Sequence, residues 1–168
     1  MGVTSVAFHP TTPDIVATGG DDNTTKIWNR KTGECIMTLE GHVDCVLSVA
    51  FHPTNPNVLA TGSSDSTTKI WNAETGECTM TFTGHTSHVT SVVFHPTDPT
   101  RLATGSYDKT AKIWNTETGE CSMTLTGHTR WVRSVAFHPT DPTRLATGSL
   151  DMTAKIWNTE TGECSMTL

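Results

Sequence analysis

No apolar run in the 168 residues approaches the roughly 18 residues that a membrane-spanning helix needs. No charged-then-apolar leader opens the chain either, so a soluble, cytoplasmic protein without a membrane partner is expected. The segment Met1–Val6 falls short of a myristoylation pattern at Val6, and Asn23-Thr24-Thr25 would be a glycosylation acceptor only in a secreted chain. Positive charge is scarce, with 11 Lys and Arg against 17 Asp and Glu and a formal net charge of -6. A nucleic-acid-binding face needs a concentration of Lys and Arg, so nucleic acid is not an expected partner, and Arg130 with Arg133 makes only a local basic spot. Cysteines number five, and Cys35, Cys78, Cys121 and Cys164 recur at one position with no second ligand at zinc spacing. An odd set of isolated thiols predicts neither a disulfide framework nor a metal site, and no cofactor motif is present. Cys45 is expected to be the most accessible thiol.

What is abundant is threonine, serine and glycine, which suit short strands and tight turns and predict an all-β protein of one domain's length. Repetition dominates the chain. Trp28, Trp71, Trp114 and Trp157 are 43 residues apart, as are Phe8, Phe51, Phe94 and Phe137, and Gly33, Gly76, Gly119 and Gly162. A period of that length fits blades of four strands. In the third copy the turn residues cut out VTSVVF (89–94), RLATG (101–105), TAKIW (110–114) and CSMTL (121–125), strands a to d in chain order. Between them lie HPTDPT, SYDK and NTETGE, which carry the Pro, Asp, Asn and Gly of turns.

Over its whole length the chain resembles the WD-repeat family. The resemblance rests on Gly41-His42, Gly84-His85 and Gly127-His128, on the LATGS strands, on Asp22, Asp65, Asp108 and Asp151, and on the KIWN ends, where Asn29, Asn72, Asn115 and Asn158 replace the family's Asp. It implies a β-propeller of four-stranded antiparallel blades, four per chain, with strand a nearest the central channel. The blades are expected at about 1–40, 41–83, 84–126 and 127–168. It also implies a buried relay from indole to hydroxyl to imidazole to carboxylate: Trp71, Thr61, His42 and Asp65; Trp114, Thr104, His85 and Asp108; Trp157, Thr147, His128 and Asp151. The same Thr-His-Asp sets could be read as hydrolase triads, but three identical active sites in one small chain, each with an idle tryptophan, favour the structural role. The first copy has Thr18, Asp22 and Trp28 but no histidine, so these three are expected to be bridged by water or to be less ordered.

Four blades in an open arc would leave an apolar face bare at each end. Closure is expected through a C2 homodimer forming one eight-bladed ring, with Leu168 of one chain near Met1 of the other; a four-bladed monomer and a twelve-bladed trimer compete with it. The third and fourth copies differ only at Ser87/Arg130, His88/Trp131, Thr90/Arg133, Val93/Ala136, Tyr107/Leu150 and Lys109/Met152. All but the Val/Ala pair sit where strand a begins or beside the Asp of the b–c turn, which in a propeller share one rim. The matching sets are Gly2, Cys45, His88 and Trp131; Thr4, Leu47, Thr90 and Arg133; and Asp21, Ser64, Tyr107 and Leu150. A constant frame with one diversified rim suits a non-enzymatic scaffold binding a protein or peptide with an acidic or aromatic segment, with Trp131 between Arg130 and Arg133 as anchor. Drift of unconstrained loops, in a recently amplified or engineered module that only folds and assembles, gives the same pattern. On the other rim His9, His52, His95 and His138 of the FHPT turns could sense metal or pH, but neighbouring copies should lie too far apart to share an ion, and a turn-stabilising role is expected.

Overall fold

In the computed structural model, which describes residues 2–168, the chain forms sixteen strands in four antiparallel sheets of four. Sheet 1 holds β1 (Val3–Phe8), β2 (Ile15–Gly20), β3 (Thr25–Asn29) and β4 (Cys35–Leu39). Sheet 2 holds β5 (Val46–Phe51), β6 (Val58–Ser63), β7 (Thr68–Asn72) and β8 (Cys78–Phe82). Sheet 3 holds β9 (Val89–Phe94), β10 (Arg101–Ser106), β11 (Ala111–Asn115) and β12 (Cys121–Leu125). Sheet 4 holds β13 (Val132–Phe137), β14 (Arg144–Ser149), β15 (Ala154–Asn158) and β16 (Cys164–Thr167). Strand order within each sheet follows the chain, so short turns suffice throughout. Among the described residues no helix is long and apolar enough to cross a membrane. Met1, expected beside Leu168 of a second copy, lies outside the described residues.

Each first strand carries a bulge that sets its buried face. In β9 the register slips between Val89 and Ser91, leaving Thr90 as the extra residue. Without the slip Val89 and Val92, three apart, would face opposite sides; with it Val89, Val92 and Phe94 are all buried. A second slip where the third strand meets the fourth pairs Trp114 with Cys121.

The core lies between sheets rather than within one. Ala103, Ala111 and Leu125 of sheet 3 pack on Val132, Val135 and Phe137 of sheet 4, with Leu145 and Trp157, and corresponding clusters fill the other two seams. Gly105 makes this approach possible: a Cβ there would fall 2.9 Å from Val132 Cγ1. The inner strands are also stitched together, since the amides of Val49, Val92 and Val135 donate to Ser5, Ser48 and Ser91 Oγ at 3.1, 3.1 and 3.2 Å. Successive first strands β1, β5, β9 and β13 are therefore neighbours along one side of the row of sheets.

That row is open. Val3, Val6 and Phe8 of β1 are 71%, 61% and 68% exposed, whereas Val89, Val92 and Phe94 are at 0%, 6% and 4%. At the other end Leu168 is 69% exposed while its counterparts Leu39, Phe82 and Leu125 are each at 1%. The two bare faces carry the same side chains that meet at the internal seams.

Candidate interaction surface

In sheets 2 to 4 one buried hydrogen-bonded chain crosses all the elements that bound it. Trp114 Nε1 donates to Thr104 Oγ1 at 2.8 Å, Thr104 is 2.7 Å from His85 Nε2, and His85 Nδ1 is 2.7 Å from Asp108 Oδ2. The distances repeat at Trp71, Thr61, His42 and Asp65 and at Trp157, Thr147, His128 and Asp151. With the indole N–H on the hydroxyl oxygen, the threonine O–H is left for Nε2, and the neutral imidazole then donates from Nδ1 to the carboxylate. The carboxylate's other lone pairs accept from Thr110 and from the amide of Thr86. Gly84, at φ +144, lets the chain cross the indole face so that His85 can reach down; a Cβ there would lie 3.3 Å from Trp114 Cη2.

Burial holds His42 below the usual imidazole range, against the pull of Asp65. Burial would push Asp65 up, but hydrogen bonds from Thr67 and His42 outweigh it and keep the carboxyl below its ordinary range. Asp108 and Asp151 are lowered by the same balance, burial opposing hydrogen bonds from the histidine and the turn threonine. Thr61 and Thr104 are fully buried, so neither hydroxyl is open to a substrate.

Sheet 1 departs from the expectation of a water-bridged or disordered set. Trp28 Nε1 still donates to Thr18 Oγ1 at 2.8 Å. Asp22 is instead engaged by the Lys26 ammonium and by Thr24. The Lys26 and Thr24 hydrogen bonds together pull its carboxyl down to about 2. A long cation four residues away can fold back onto a carboxylate that lacks its imidazole, a substitution not visible from a repeat in which that lysine never varies.

On the rim each pair of variable positions is joined by a main-chain hydrogen bond. The amides of Asp21, Ser64, Tyr107 and Leu150 donate to the carbonyls of Gly2, Cys45, His88 and Trp131 at 3.1, 2.9, 3.0 and 2.9 Å. The strand-a positions Thr4, Leu47, Thr90 and Arg133 meet with Tyr107 around one depression of about 350 Å³. Asp21 is turned to its own sheet and accepts from the Gly2 amide at 2.9 Å. Tyr107 is stacked between His88 and Trp131, and Arg133 Nη1 donates to its hydroxyl at 2.9 Å. A second pocket, about 300 Å³, is walled by Lys109, Thr129, Arg130, Trp131 and Leu150. Lys109 and Thr129 were not among the expected site residues. The signal for Lys109 was its place among the few positions that differ between copies 3 and 4; Thr129 matches Thr86 and left no signal.

Cys45 requires a correction: it is half-buried, while Cys35, Cys78, Cys121 and Cys164 are exposed. Burial and the neighbouring Asp44 and Asp21 push its thiol up, because it is tucked against the rim turns rather than standing on an edge strand. On the opposite rim Nδ1 of His95 accepts the amides of Thr97 and Asp98, and Nε2 is 3.1 Å from the carbonyl of Pro142 in the next sheet. All four of these histidines brace their own turns, and His52 and His95 also reach a carbonyl across a seam. Among the described residues no group of three or more His, Cys, Asp or Glu is placed to hold a metal ion.

Four-stranded sheets packed face against face, three of them locked by the same tryptophan-to-aspartate relay, are the blades of a WD-repeat β-propeller. The family model described as WD domain, G-beta repeat, matches residues 1–29, 33–72, 76–115 and 119–158, and the chain belongs to this family. Its repeat unit is offset from the sheets, since 76–115 runs from before β8 to the end of β11. Curated relatives include nuclear distribution protein PAC1 of Tuber melanosporum, 47% identical over 45 residues, 27% of this chain and 10% of that protein. Nuclear distribution protein nudF of Aspergillus flavus is 52% identical over 44 residues, again 10% of its length. Each match spans about one repeat and a tenth of the relative. Interaction scaffolding is the class of function that the repeats imply.

Proposed function

We propose that this chain is a non-enzymatic, cytoplasmic scaffold that binds a protein or peptide segment carrying acidic and apolar side chains on the rim over blades 3 and 4. The observation that carries this reading is the pocket between Trp131 and Leu150 with Lys109 and Arg130 on its walls. In a chain of net charge -6, Lys109, Arg130 and the nearby Arg133 form no salt bridge among the described residues, so three cations stand uncompensated beside an aromatic ring and a leucine. Trp131 and Leu150 are 44% and 43% exposed, the half-burial of anchors that can still desolvate on binding. The relay hydroxyls are buried and already committed to indole and imidazole, which supports a structural role for the Thr-His-Asp sets and leaves the hydrolase reading without a reachable nucleophile.

The assembled form belongs to the same reading: two copies close one eight-bladed ring about a two-fold axis, with the blades near 1–40, 41–83, 84–126 and 127–168 as its units. Support comes from the bare face of Val3, Val6 and Phe8, which matches chemically what Val46 and Val49 bury at the first seam, and from Ile156 and Leu168 at the other end. Light scattering at micromolar concentration should give twice the 18.2 kDa of one chain; a single-chain mass overturns the dimer. For the rim, a displayed peptide library should yield segments rich in Asp, Glu and aromatic residues whose binding Trp131→Ala and Arg130→Ala weaken at least tenfold. A library with no enriched segment would leave the repeats as a module that folds and assembles without a cognate ligand.

A further inference from the structure

The loops that enter β5, β9 and β13 share a Gly-His pair, and around it blade 2 departs from its neighbours in the opposite sense to blade 4. Where blade 3 has Thr83, Thr86 and Ser87, blade 2 has Glu40, Val43 and Asp44. Blade 4 keeps Thr126 and Thr129 but has Arg130 in the place of Asp44. One rim position thus carries a carboxylate, a hydroxyl and a guanidinium in successive blades. Val43 is 83% exposed, and Glu40 and Asp44 beside it are exposed as well. Neither carboxylate enters a salt bridge among the described residues, and the hydrogen bond that Asp44 Oδ1 accepts comes from the adjacent Cys45 amide at 2.7 Å. An apolar side chain bare to water between two unpaired acids complements the pocket of Trp131, Leu150, Lys109 and Arg130 in both polarity and charge.

We propose that the rim pocket over blades 3 and 4 docks the loop 40–44 of a second copy of this chain, and that the second copy does the same in return. Resting on the reading of that pocket as a site for acidic and apolar segments, this identifies the segment as part of the chain itself. Blades 2 and 4 flank blade 3 in the row of sheets. A two-fold axis running outward over blade 3, in the plane of the rim, turns one copy rim-down on the other and lays blade 2 of each on blade 4 of its partner. A single operation therefore makes both contacts, as a self-complementary interface requires. Val43 of each copy enters between the other's Trp131 and Leu150, while Glu40 and Asp44 meet its Lys109 and Arg130. The net charge of -6 on each copy opposes association, so the contact depends on local pairing. Two short loops bury well under the roughly 1,200 Å² of a stable interface, so the pair is transient, with a dissociation constant on the order of 100 µM. The seams at the ends of the row stay free, so ring closure is neither required nor obstructed.

Sedimentation of the full chain from about 10 to about 500 µM should show a reversible doubling of mass over the unit that the seams set, half complete near roughly 100 µM. Asp44→Arg alone and Arg130→Asp alone should each weaken the doubling by roughly tenfold or more, since each sets like charges against one another at both contacts. An equimolar mixture of the two variants should restore it. In the mixed pair the introduced arginine faces the introduced aspartate at one contact, and Asp44 faces Arg130 at the other. Recovery in the mixture also shows that both variants are folded. The two substitutions move the net charge of -6 in opposite directions, so overall repulsion would help one variant and harm the other. Val43→Thr, which gives the loop the residue that blades 3 and 4 carry there, should weaken the doubling roughly threefold. No doubling at the highest concentration overturns the proposal, as does stronger association of Asp44→Arg or a mixture no better than its components. Asp44→Arg leaves the pocket intact and should still bind acidic segments selected from the peptide library. If those segments bind and no doubling is seen, the docking of a second copy falls while the reading of the pocket stands; if they do not bind, that reading falls first.

Discussion

Tyr107 lies face to face with Trp131 across the seam between blades 3 and 4, ring centroids 4.0 Å apart and planes 13° from parallel. His88 covers the other face of Tyr107 at 5.1 Å and 10°. The three rings come from two blades, so the stack both fixes the seam at the rim and orients the outer surface of Trp131 beside Leu150 and Arg130. A double-mutant cycle with Tyr107→Ala and Trp131→Ala, read by chemical denaturation, should give a coupling of about 1 kcal/mol. Coupling near zero would mean that the stack does not hold the anchor in place.

Removing the central hydroxyl of a relay should be severe where the relay is complete and mild where it is not. Thr104→Val strips partners from both His85 and Trp114 in a dry site, and should destabilise by about 2–4 kcal/mol. Thr18→Val leaves only the half-exposed Trp28 indole without its acceptor, and should cost about 1 kcal/mol or less. Equal unfolding midpoints for the two variants would contradict this ranking.

Thr25 and Thr68 bury hydroxyls without a hydrogen-bond partner among the described residues, at positions where the later copies have Ala111 and Ala154. An unpaired buried hydroxyl costs about 1–3 kcal/mol, against about 0.8 kcal/mol for burying a methyl. Thr68→Ala should therefore raise the denaturation midpoint, by about 0.5–1 kcal/mol of stability.

Met152 adopts φ +67 in the b–c turn and is 92% exposed, while the first copy has Asn23 there at φ +66. Left-handed backbone is unfavourable for an unbranched apolar residue and tolerated by Asn. Met152→Asn should stabilise by about 0.5–1 kcal/mol in thermal unfolding and, because Met152 is not among the residues that wall the Trp131 pocket, should leave rim binding unchanged.

Acid should weaken the fold in two stages. His42 is held below its ordinary value by burial, so the unfolded chain binds the proton more readily, and stability declines as pH falls below about 6.5. Asp65, Asp108 and Asp151 are also lowered, burial being outweighed by their hydrogen bonds, so their contribution is full above the ordinary carboxylate value of about 3.9 and is lost as pH falls below it. Urea midpoints measured from pH 8 to pH 3 should be flat at first, fall gently below 6.5 and steeply below 4; a midpoint that rises on acidification would contradict the assignment of His42 as a neutral, buried group.

Much of this was legible in the residues. The 43-residue spacing of Trp28, Trp71, Trp114 and Trp157 is a local regularity, and turns such as Asn115–Gly119 are encoded within a few residues, so the strands of the third copy emerge at their observed positions to within one residue. The partners in each relay were named through the resemblance to the WD-repeat family, which implied the set that the hydrogen bonds join in blades 2 to 4.

Tertiary structure decided what depends on how one blade meets the next. The bulge at Thr90 sets which valines face the seam, and no spacing rule announces it. Lys26 bonds to Asp22 because space beside Thr18 and Trp28 lets a flexible chain reach a carboxylate, a choice of rotamer that an invariant lysine hides. Cys45 is screened by turns from its own and the preceding blade, and the Tyr107–Trp131 stack joins residues 24 apart in sequence through a seam. Sequence alone determined the repeat, the strands and the chemistry of each blade, since these are short-range; the packing of blades determined the pockets, because a cavity is made by surfaces that the chain brings together only when it folds.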